Sequence, residues 1–174
     1  MKEIEVKILE IDRKEIEKKL RSIGAKKVSD VIMEVYSFDF PGRSIKKAKN
    51  LLRMRREGDK TKITFKKKIS TNKVKMSHEY ETEVLDMGEM RKILEYLGLK
   101  VYLCVKKRRI TYMLGKTHFE IDKYLGKYSS IPEFLEIEAK DAKTIYKYAK
   151  LLGFRKEQCK PSTGYDLMKY YSRK

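Results

Sequence analysis

Met1-Lys2-Glu3-Ile4-Glu5-Val6-Lys7-Ile8-Leu9 alternates without a break: Ile4, Val6 and Ile8 have one parity, Glu3, Glu5 and Lys7 the other. Side chains along a strand point to alternate faces, so this stretch reads as a strand with both glutamates on one side. Asp12 then opens a helix, with Glu15 completing a capping box, and Gly24 closes it. The same phrase recurs twice. Glu81-Thr82-Glu83 precedes Asp86 to Gly98, and Glu136-Ile137-Glu138 precedes Asp141 to Gly153; Asp-to-Gly spacing is 12 in every copy. Residues one, four and eight before the Gly are apolar each time: Ile23, Leu20, Ile16; Leu97, Leu94, Met90; Leu152, Ala149, Ile145. That is one helix stripe used three times. Carboxylates paired on one face of several strands need a purpose, and metal binding is the direct one.

Outward from these copies, Val31 to Phe40 reads as a strand ended by Pro41-Gly42, and Leu51 to Arg56 with Lys60 to Lys68 as a hairpin across Glu57-Gly58-Asp59. Ile69 to Ser77 reads as a polar, basic loop, and His78 to Leu85 as a strand. Val101 to Leu114 and Thr117 to Lys123 form a hairpin at Gly115-Lys116, Tyr124 to Pro132 a loop, and Glu133 to Ala139 the last strand. The tail from Cys159 to Lys174 is expected to add a short strand or helix. The whole predicts one α+β domain over residues 1–174, mostly antiparallel, with eight strands and three or more helices.

The bulk numbers agree. A chain of 174 residues supports one substantial core, and 41% hydrophobic residues suffice to fold it. The net charge of +18 asks for an anionic partner: nucleic acid, a membrane surface or polyphosphate. Lys/Glu enrichment is a tendency of hyperthermophile proteins and points to a thermophilic source. Cys104 and Cys159 have no CxxC or Cys/His spacing, which argues against zinc and for free thiols. No apolar run approaches ~20 residues and no signal peptide is legible, so a cytoplasmic location is expected.

Parity sorts the strand faces. Arg53 and Arg55 oppose Leu52 and Met54; Lys62, Thr64, Lys66 and Lys68 oppose Ile63 and Phe65; Glu79, Glu81 and Glu83 oppose Tyr80, Thr82 and Val84. Lys107, Arg109 and Thr111 oppose Ile110 and Tyr112; Glu120 and Asp122 oppose Phe119 and Ile121; Glu136 and Glu138 oppose Leu135 and Ile137. One wet face of an antiparallel sheet accounts for any single strand. It does not account for acids and bases being segregated strand by strand. If the sheet curls into a barrel, the charged face becomes its interior, and interior charges must serve one another, metal ions or an anionic ligand.

These residues resemble the CYTH superfamily, the triphosphate tunnel metalloenzymes, which takes its name from class IV adenylate cyclases and thiamine triphosphatases. Glu3-Ile4-Glu5-Val6-Lys7 looks like its ExExK signature. The resemblance continues through Leu52-Arg53-Met54-Arg55, Thr64-Phe65-Lys66, Glu79-Tyr80-Glu81, Val105-Lys106-Lys107-Arg108-Arg109, Ile121-Asp122 with Leu125-Gly126, and Phe134-Leu135-Glu136-Ile137-Glu138, in order over nearly the whole chain. Two places depart from the pattern. Glu34-Val35-Tyr36 stands where many members carry an Asp-containing motif, and Lys127 to Glu133 is longer than usual; both are expected at the tunnel mouth.

The resemblance implies an eight-stranded antiparallel tunnel with flanking helices. It implies Mg²⁺ or Mn²⁺ held by Glu3, Glu5, Glu81, Asp122, Glu136 and Glu138, since these ions take oxygen ligands. Lys7, Arg53, Arg55, Lys66, Lys107 and Arg109 are the expected phosphate ligands, with Arg as a bidentate fork and Lys as a point charge. Glu5, Lys7, Lys66 and Arg109 are the expected catalytic set. The reaction is then phosphoryl or nucleotidyl transfer by positioning and electrostatics, as a triphosphatase or as an adenylate cyclase. The expected partner is a small-molecule triphosphate; a homodimer is compatible with the chain, and membrane and nucleic-acid partners are not favoured. The competing class is a non-enzymatic barrel binding RNA or polyphosphate, which explains +18 but not glutamate pairs beside arginine pairs. His78 and His118 read as incidental, Tyr165, Tyr170 and Tyr171 as packing, and the loop from Lys66 to Lys75 as a solvated loop or tunnel rim rather than an RNA-binding face. Ser162 and Tyr165 resemble part of the family's C-terminal stretch.

Overall fold

A computed structural model describes residues 2–70 and 74–172, the side chains of residues 2, 3 and 70 excepted. In chain order, β1 is Lys2–Ile8, α1 Arg13–Ser22, β2 Lys26–Asp39, α2 Ser44–Lys47, β3 Leu51–Glu57, β4 Lys60–Ser70 and β5 Lys75–Val84. Then come α3 Met87–Tyr96, β6 Lys100–Leu114, β7 Thr117–Leu125, β8 Phe134–Ala139, α4 Ala142–Leu151 and α5 Gly164–Tyr171. The eight strands close into an antiparallel barrel in the order β1-β5-β4-β3-β2-β6-β7-β8.

The three Asp-to-Gly segments form three helices built alike. Asp12, Asp86 and Asp141 each accept from the backbone N–H three residues on, at 3.0, 2.9 and 2.7 Å, a cap worth about 1 kcal/mol. Gly24, Gly98 and Gly153 have φ of 86°, 87° and 90°, a left-handed turn that only glycine adopts cheaply. The residue after each glycine closes the helix end: Ala25 N–H donates to Leu20 O, Leu99 to Leu94 O and Phe154 to Ala149 O. Ile16, Leu20, Ile145, Ala149 and Leu152 are buried against the outward faces of β1, β6, β7 and β8. Each fully buried Leu or Ile there contributes about 1.5–3 kcal/mol. The principal core thus lies outside the barrel wall, and the charged faces are left for the interior.

Two stretches differ most from the sequence reading, while the tail adds a strand-like bridge and a helix as expected. β2 begins at Lys26, not Val31, and its first residues pair with Met113 and Tyr112 of β6. Lys26, Lys27 and Val28 are exposed, so no alternation marks them. The expected loop from Ile69 to Ser77 is mostly strand: β4 runs to Ser70 and β5 starts at Lys75, while Thr71, Asn72 and Lys73 lie outside the described residues. In the tail, Lys160 bridges Lys7 with two backbone hydrogen bonds of 2.8 Å, and α5 follows. Leu167 and Met168 of α5 pack on Met33, Val35, Val105, Tyr124 and Phe134, which closes an apolar end of the barrel.

Candidate active site

Antiparallel register carries the charged parity of each strand around the barrel. Glu120 of β7 stands opposite Glu136 of β8, which stands opposite Lys7 of β1. One rung away, His118, Glu138, Glu5 and Lys75 follow one another across β7, β8, β1 and β5. Arg109 faces Asp122, and Arg53 faces Thr64, which faces Glu81. All of these but Thr64 line a cavity of about 1330 Å³.

The acidic wall comes from β1, β7 and β8. Asp122 is fully buried and accepts from Arg109 Nε at 2.7 Å, Arg109 Nη2 at 2.6 Å and Lys107 Nζ at 2.6 Å. Arg109 also donates to Glu136 at 2.6 Å and pairs with Glu120, so one guanidinium ties three carboxylates together. Lys7 bridges Glu5, at 3.0 Å, and Glu136. Burial pushes Glu136 upward, but Lys7 and Arg109 overcome it and hold the carboxyl well below its ordinary range. Glu120 goes the other way: burial, with Glu136 and Asp122 nearby, outweighs Arg109 and raises it.

The cationic wall comes from β3, β4 and β5. Glu5 has three ammonium groups around it: Lys75 at 2.8 Å, Lys7 at 3.0 Å and Lys66 at 3.8 Å. Against its burial they keep it ionised. Lys7 also has Glu136, and Lys66 also has Glu79 at 3.1 Å; Lys75 stays below its ordinary value because burial outweighs Glu5. Arg55 pairs with Glu81 at 3.0 Å, and Glu81 also takes Thr64 Oγ1 at 2.8 Å and Lys62 at 3.2 Å. Among the described residues, Arg53 reaches only Glu79, at 3.8 Å. The buried Nε–H groups of Arg53 and Arg55 have no hydrogen-bond acceptor among the described residues; Arg55 Nε lies 3.0 Å from Glu57, out of line for a hydrogen bond.

Eleven of the twelve expected site residues therefore face one cavity: Glu5, Lys7, Arg53, Arg55, Lys66, Glu81, Lys107, Arg109, Asp122, Glu136 and Glu138. The side chain of the twelfth, Glu3, lies outside the described residues. Sequence reasoning passed over Glu120, which shares Asp122's parity, and Lys75, hidden in the supposed loop. Glu83, at the end of the acidic strand, pairs instead with exposed Lys60. Lys106 and Arg108 point outward to Glu34 and Asp30. Glu34 and Tyr36 are thus on the barrel's outer face, and only Val35 of that stretch lines the cavity. Lys127 to Glu133 folds beneath the tail: Ile131 is buried in the α5 cluster and accepts from Lys123 at 2.8 Å. His78 is exposed, whereas His118 lines the cavity. Ser162 and Tyr165 line its tail end. Both cysteines are free.

Among the described residues, no three His, Cys, Asp or Glu side chains converge on a ready-made metal cage. The donor chemistry still fits Mg²⁺ or Mn²⁺. The carboxylates of the acidic wall offer oxygen donors, and such ions often take one or two carboxylates and complete their shell with phosphate oxygens and water.

The CYTH domain model matches residues 1–151. A Methanocaldococcus jannaschii protein named "Putative adenylate cyclase MJ0240" is 27% identical over 138 residues, covering 79% of this chain and 77% of that one. The structure of the PH1012 protein from Pyrococcus horikoshii superposes with a TM-score of 0.79 at 30% identity, covering 95% of this chain and 98% of that one. A Hippeastrum protein, described as a putative adenylyl cyclase that reveals a dominant triphosphatase activity, shares the fold at a TM-score of 0.72 and 14% identity, over 97% and 96% of the two chains. No helix among the described residues is long and apolar enough to cross a membrane.

Proposed function

The chain belongs to the CYTH family, and from that premise we propose that it is a metal-dependent enzyme that cleaves a phosphoric anhydride bond of a triphosphate held inside the barrel. The carrying observation is that Arg53 and Arg55 line the cavity while their buried Nε–H groups find no acceptor among the described residues. An unmade buried hydrogen bond costs about 1–3 kcal/mol, and native proteins keep few of them. Phosphate oxygens would supply the acceptors, in the geometry an Arg fork favours. The three ammonium groups crowding Glu5 support the same reading, because an anion among them relieves their repulsion.

In this reading Arg53, Arg55 and Lys66 bind and orient the phosphate chain. Lys7 and Arg109 hold Glu5, Glu120, Asp122 and Glu136 as a fixed array on the opposite wall, so little reorganisation accompanies the reaction. A bound Mg²⁺ or Mn²⁺ would neutralise phosphate charge between the walls, and Glu5, Glu136 and Glu138, with Glu3, Glu81 and Asp122, are the residues to hold it. Glu120, raised by burial, is the carboxylate best matched to accept a proton from an attacking hydroxyl. Hydrolysis needs only a positioned water. Cyclisation also needs a ribose hydroxyl in line with the α-phosphorus at about 3–3.5 Å, which is a stricter demand. We therefore favour hydrolysis.

The test is incubation with ATP, tripolyphosphate and thiamine triphosphate, each with Mg²⁺, Mn²⁺ or EDTA, followed by chromatography of the products. Release of inorganic phosphate that EDTA abolishes is the expected result. Cyclic AMP with pyrophosphate would replace hydrolysis by cyclisation in the same site. No turnover of any triphosphate, with tight RNA binding instead, would overturn the enzyme reading.

A further inference from the structure

The three Asp-to-Gly helices share one design but not one environment. Counting back from the glycines, Ile93 of α3 corresponds to Lys19 of α1 and Tyr148 of α4, and Leu97 corresponds to Ile23 and Leu152. α1 and α4 cover one core and meet through these positions: Lys19 Nζ donates to Leu152 O at 3.0 Å, and Leu152 is fully buried. α3 has no such neighbour. The cluster beneath it draws on another helix only through Ile45 of α2, and Leu94 is its one buried residue. Ile93, Tyr96 and Leu97 are 51%, 92% and 65% exposed. At 100° per residue they continue the Met87-Met90-Leu94 stripe around one flank of the helix. Leu85, just ahead of the Asp86 cap, is bare, and Phe40, which lies against Gly98, is partly exposed. Together they are a run of exposed apolar side chains on and beside one helix, not isolated ones, and such a grouping marks an interaction site.

We propose that α3, with Leu85 and Phe40, is the face through which two copies of this chain associate about a two-fold axis. Charge selects the occupant. Two copies at +18 repel wherever their basic surfaces meet. α1 and α4 each carry an excess of three positive charges, whereas on α3 Arg91 and Lys92 balance Glu89 and Glu95 and pair with them at 2.8 Å. An anionic partner would choose the basic helices; the neutral, apolar one suits a second copy. A two-fold contact places the same patch on itself. The α1–α4 pair shows that this flank of the repeat accepts another helix of the same design.

Sedimentation equilibrium at about 10–200 µM protein in moderate salt reads the outcome directly. The wild type should sediment at twice 20.7 kDa, Leu97→Lys and Ile93→Glu at the monomer mass, and Leu151→Lys, an exposed leucine of α4, still as a dimer. Circular dichroism and melting should match the wild type. Should Leu97→Lys perturb folding, Tyr96→Glu, at the most exposed of the three helix positions, gives the same reading without that risk. A wild type that stays monomeric throughout, leaving the face to a different protein, would overturn the proposal. So would α3 variants that remain dimeric.

Discussion

Replacing Asp122 by Asn should destabilise the protein several-fold more than replacing Asp30 by Asn, although the two carboxylates have nearly the same partners. Asp122 binds Arg109 through Nε at 2.7 Å and Nη2 at 2.6 Å, and Lys107 at 2.6 Å. Asp30 binds Arg108 through Nε at 2.8 Å and Nη2 at 2.9 Å, and Lys27 at 2.7 Å. Arg108 and Arg109 are neighbours on β6, pointing to opposite faces. Side-chain exposure is 0% for Asp122 and 26% for Asp30, while the cations are 8–10% exposed inside and 43–44% outside. Breaking a buried pair leaves uncompensated buried charge and costs about 3–5 kcal/mol; an exposed pair is worth about 0–1 kcal/mol. Hydrogen bonds from Arg108 hold the Asp30 carboxyl well below its usual range, but water and salt screen that pair. In a domain of this size about 2–4 °C of melting temperature accompanies each kcal/mol. Asp122→Asn should therefore lower the midpoint by about 10 °C, and Asp30→Asn by no more than about 3 °C. Calorimetry at pH 7, supported by urea titration, measures both. Equal shifts, or a loss at Asp122 under about 3 °C, would refute the claim that burial decides the worth of these pairs.

Arg53→Ala or Arg55→Ala should weaken tripolyphosphate binding by about tenfold or more, each charge-assisted hydrogen bond being worth about 1.5–3 kcal/mol, whereas Lys106→Ala and Arg108→Ala should change it less than about twofold. Calorimetric titration decides, and equal effects from inner and outer residues would refute the face assignment. Gly164→Ala should loosen the tail, although alanine is the better helix former, because its Cβ would lie 2.6 Å from Tyr124 Oη. Tyr124→Phe should restore resistance to limited proteolysis in the double variant; no restoration would remove Tyr124 as the cause. Stability should fall with acid. Glu5, Glu136 and Glu81, the last held at about 2, have lowered folded-state values. Their contribution is full above the ordinary carboxylate value of about 4.5 and is lost as pH falls through the folded values. Glu120 is raised and opposes the trend. The urea midpoint should drop from pH 5 to pH 3, and a flat or rising profile would contradict the assignment.

Parity decided most of what was legible in the sequence, because a strand has only two faces and register does the rest. Glu5, Lys7, Arg53, Arg55 and Arg109 group together on parity alone. Which face turns inward is not a property of one strand; it followed from the segregation of acids from bases. Lys75 escaped because Ser70, Thr71 and Asn72 interrupt the alternation before it, and a strand pairing for only four residues with β1 leaves a faint pattern. The start of β2 escaped because exposed residues on both faces carry no period. The repeat foretold three identical caps, but not that Leu97 would stay bare while Leu152 is buried. That difference depends on which helices become neighbours, a tertiary fact no local window contains.

The net charge also needs a different reading from the one composition suggests. Within the cavity the cationic side chains exceed the carboxylates by only two among the described residues, against eighteen for the whole chain. The excess therefore lies almost wholly outside and says little about what the barrel holds. An interior of near-balanced, mutually paired charges would accept a phosphate chain only by exchanging partners: Arg53 and Arg55 have donors to spare, whereas Arg109 is committed to Glu120, Asp122 and Glu136. The two groups of arginines thus play different parts. Arg53 and Arg55 are placed to receive the anion, and Arg109 to keep the carboxylates that face it from moving. The external charge acts at longer range, raising the local concentration of anions near the mouth, an effect that salt screens within about 10 Å. Affinity that survives high salt would belong to the interior arginines, and an association rate that collapses with salt would belong to the surface.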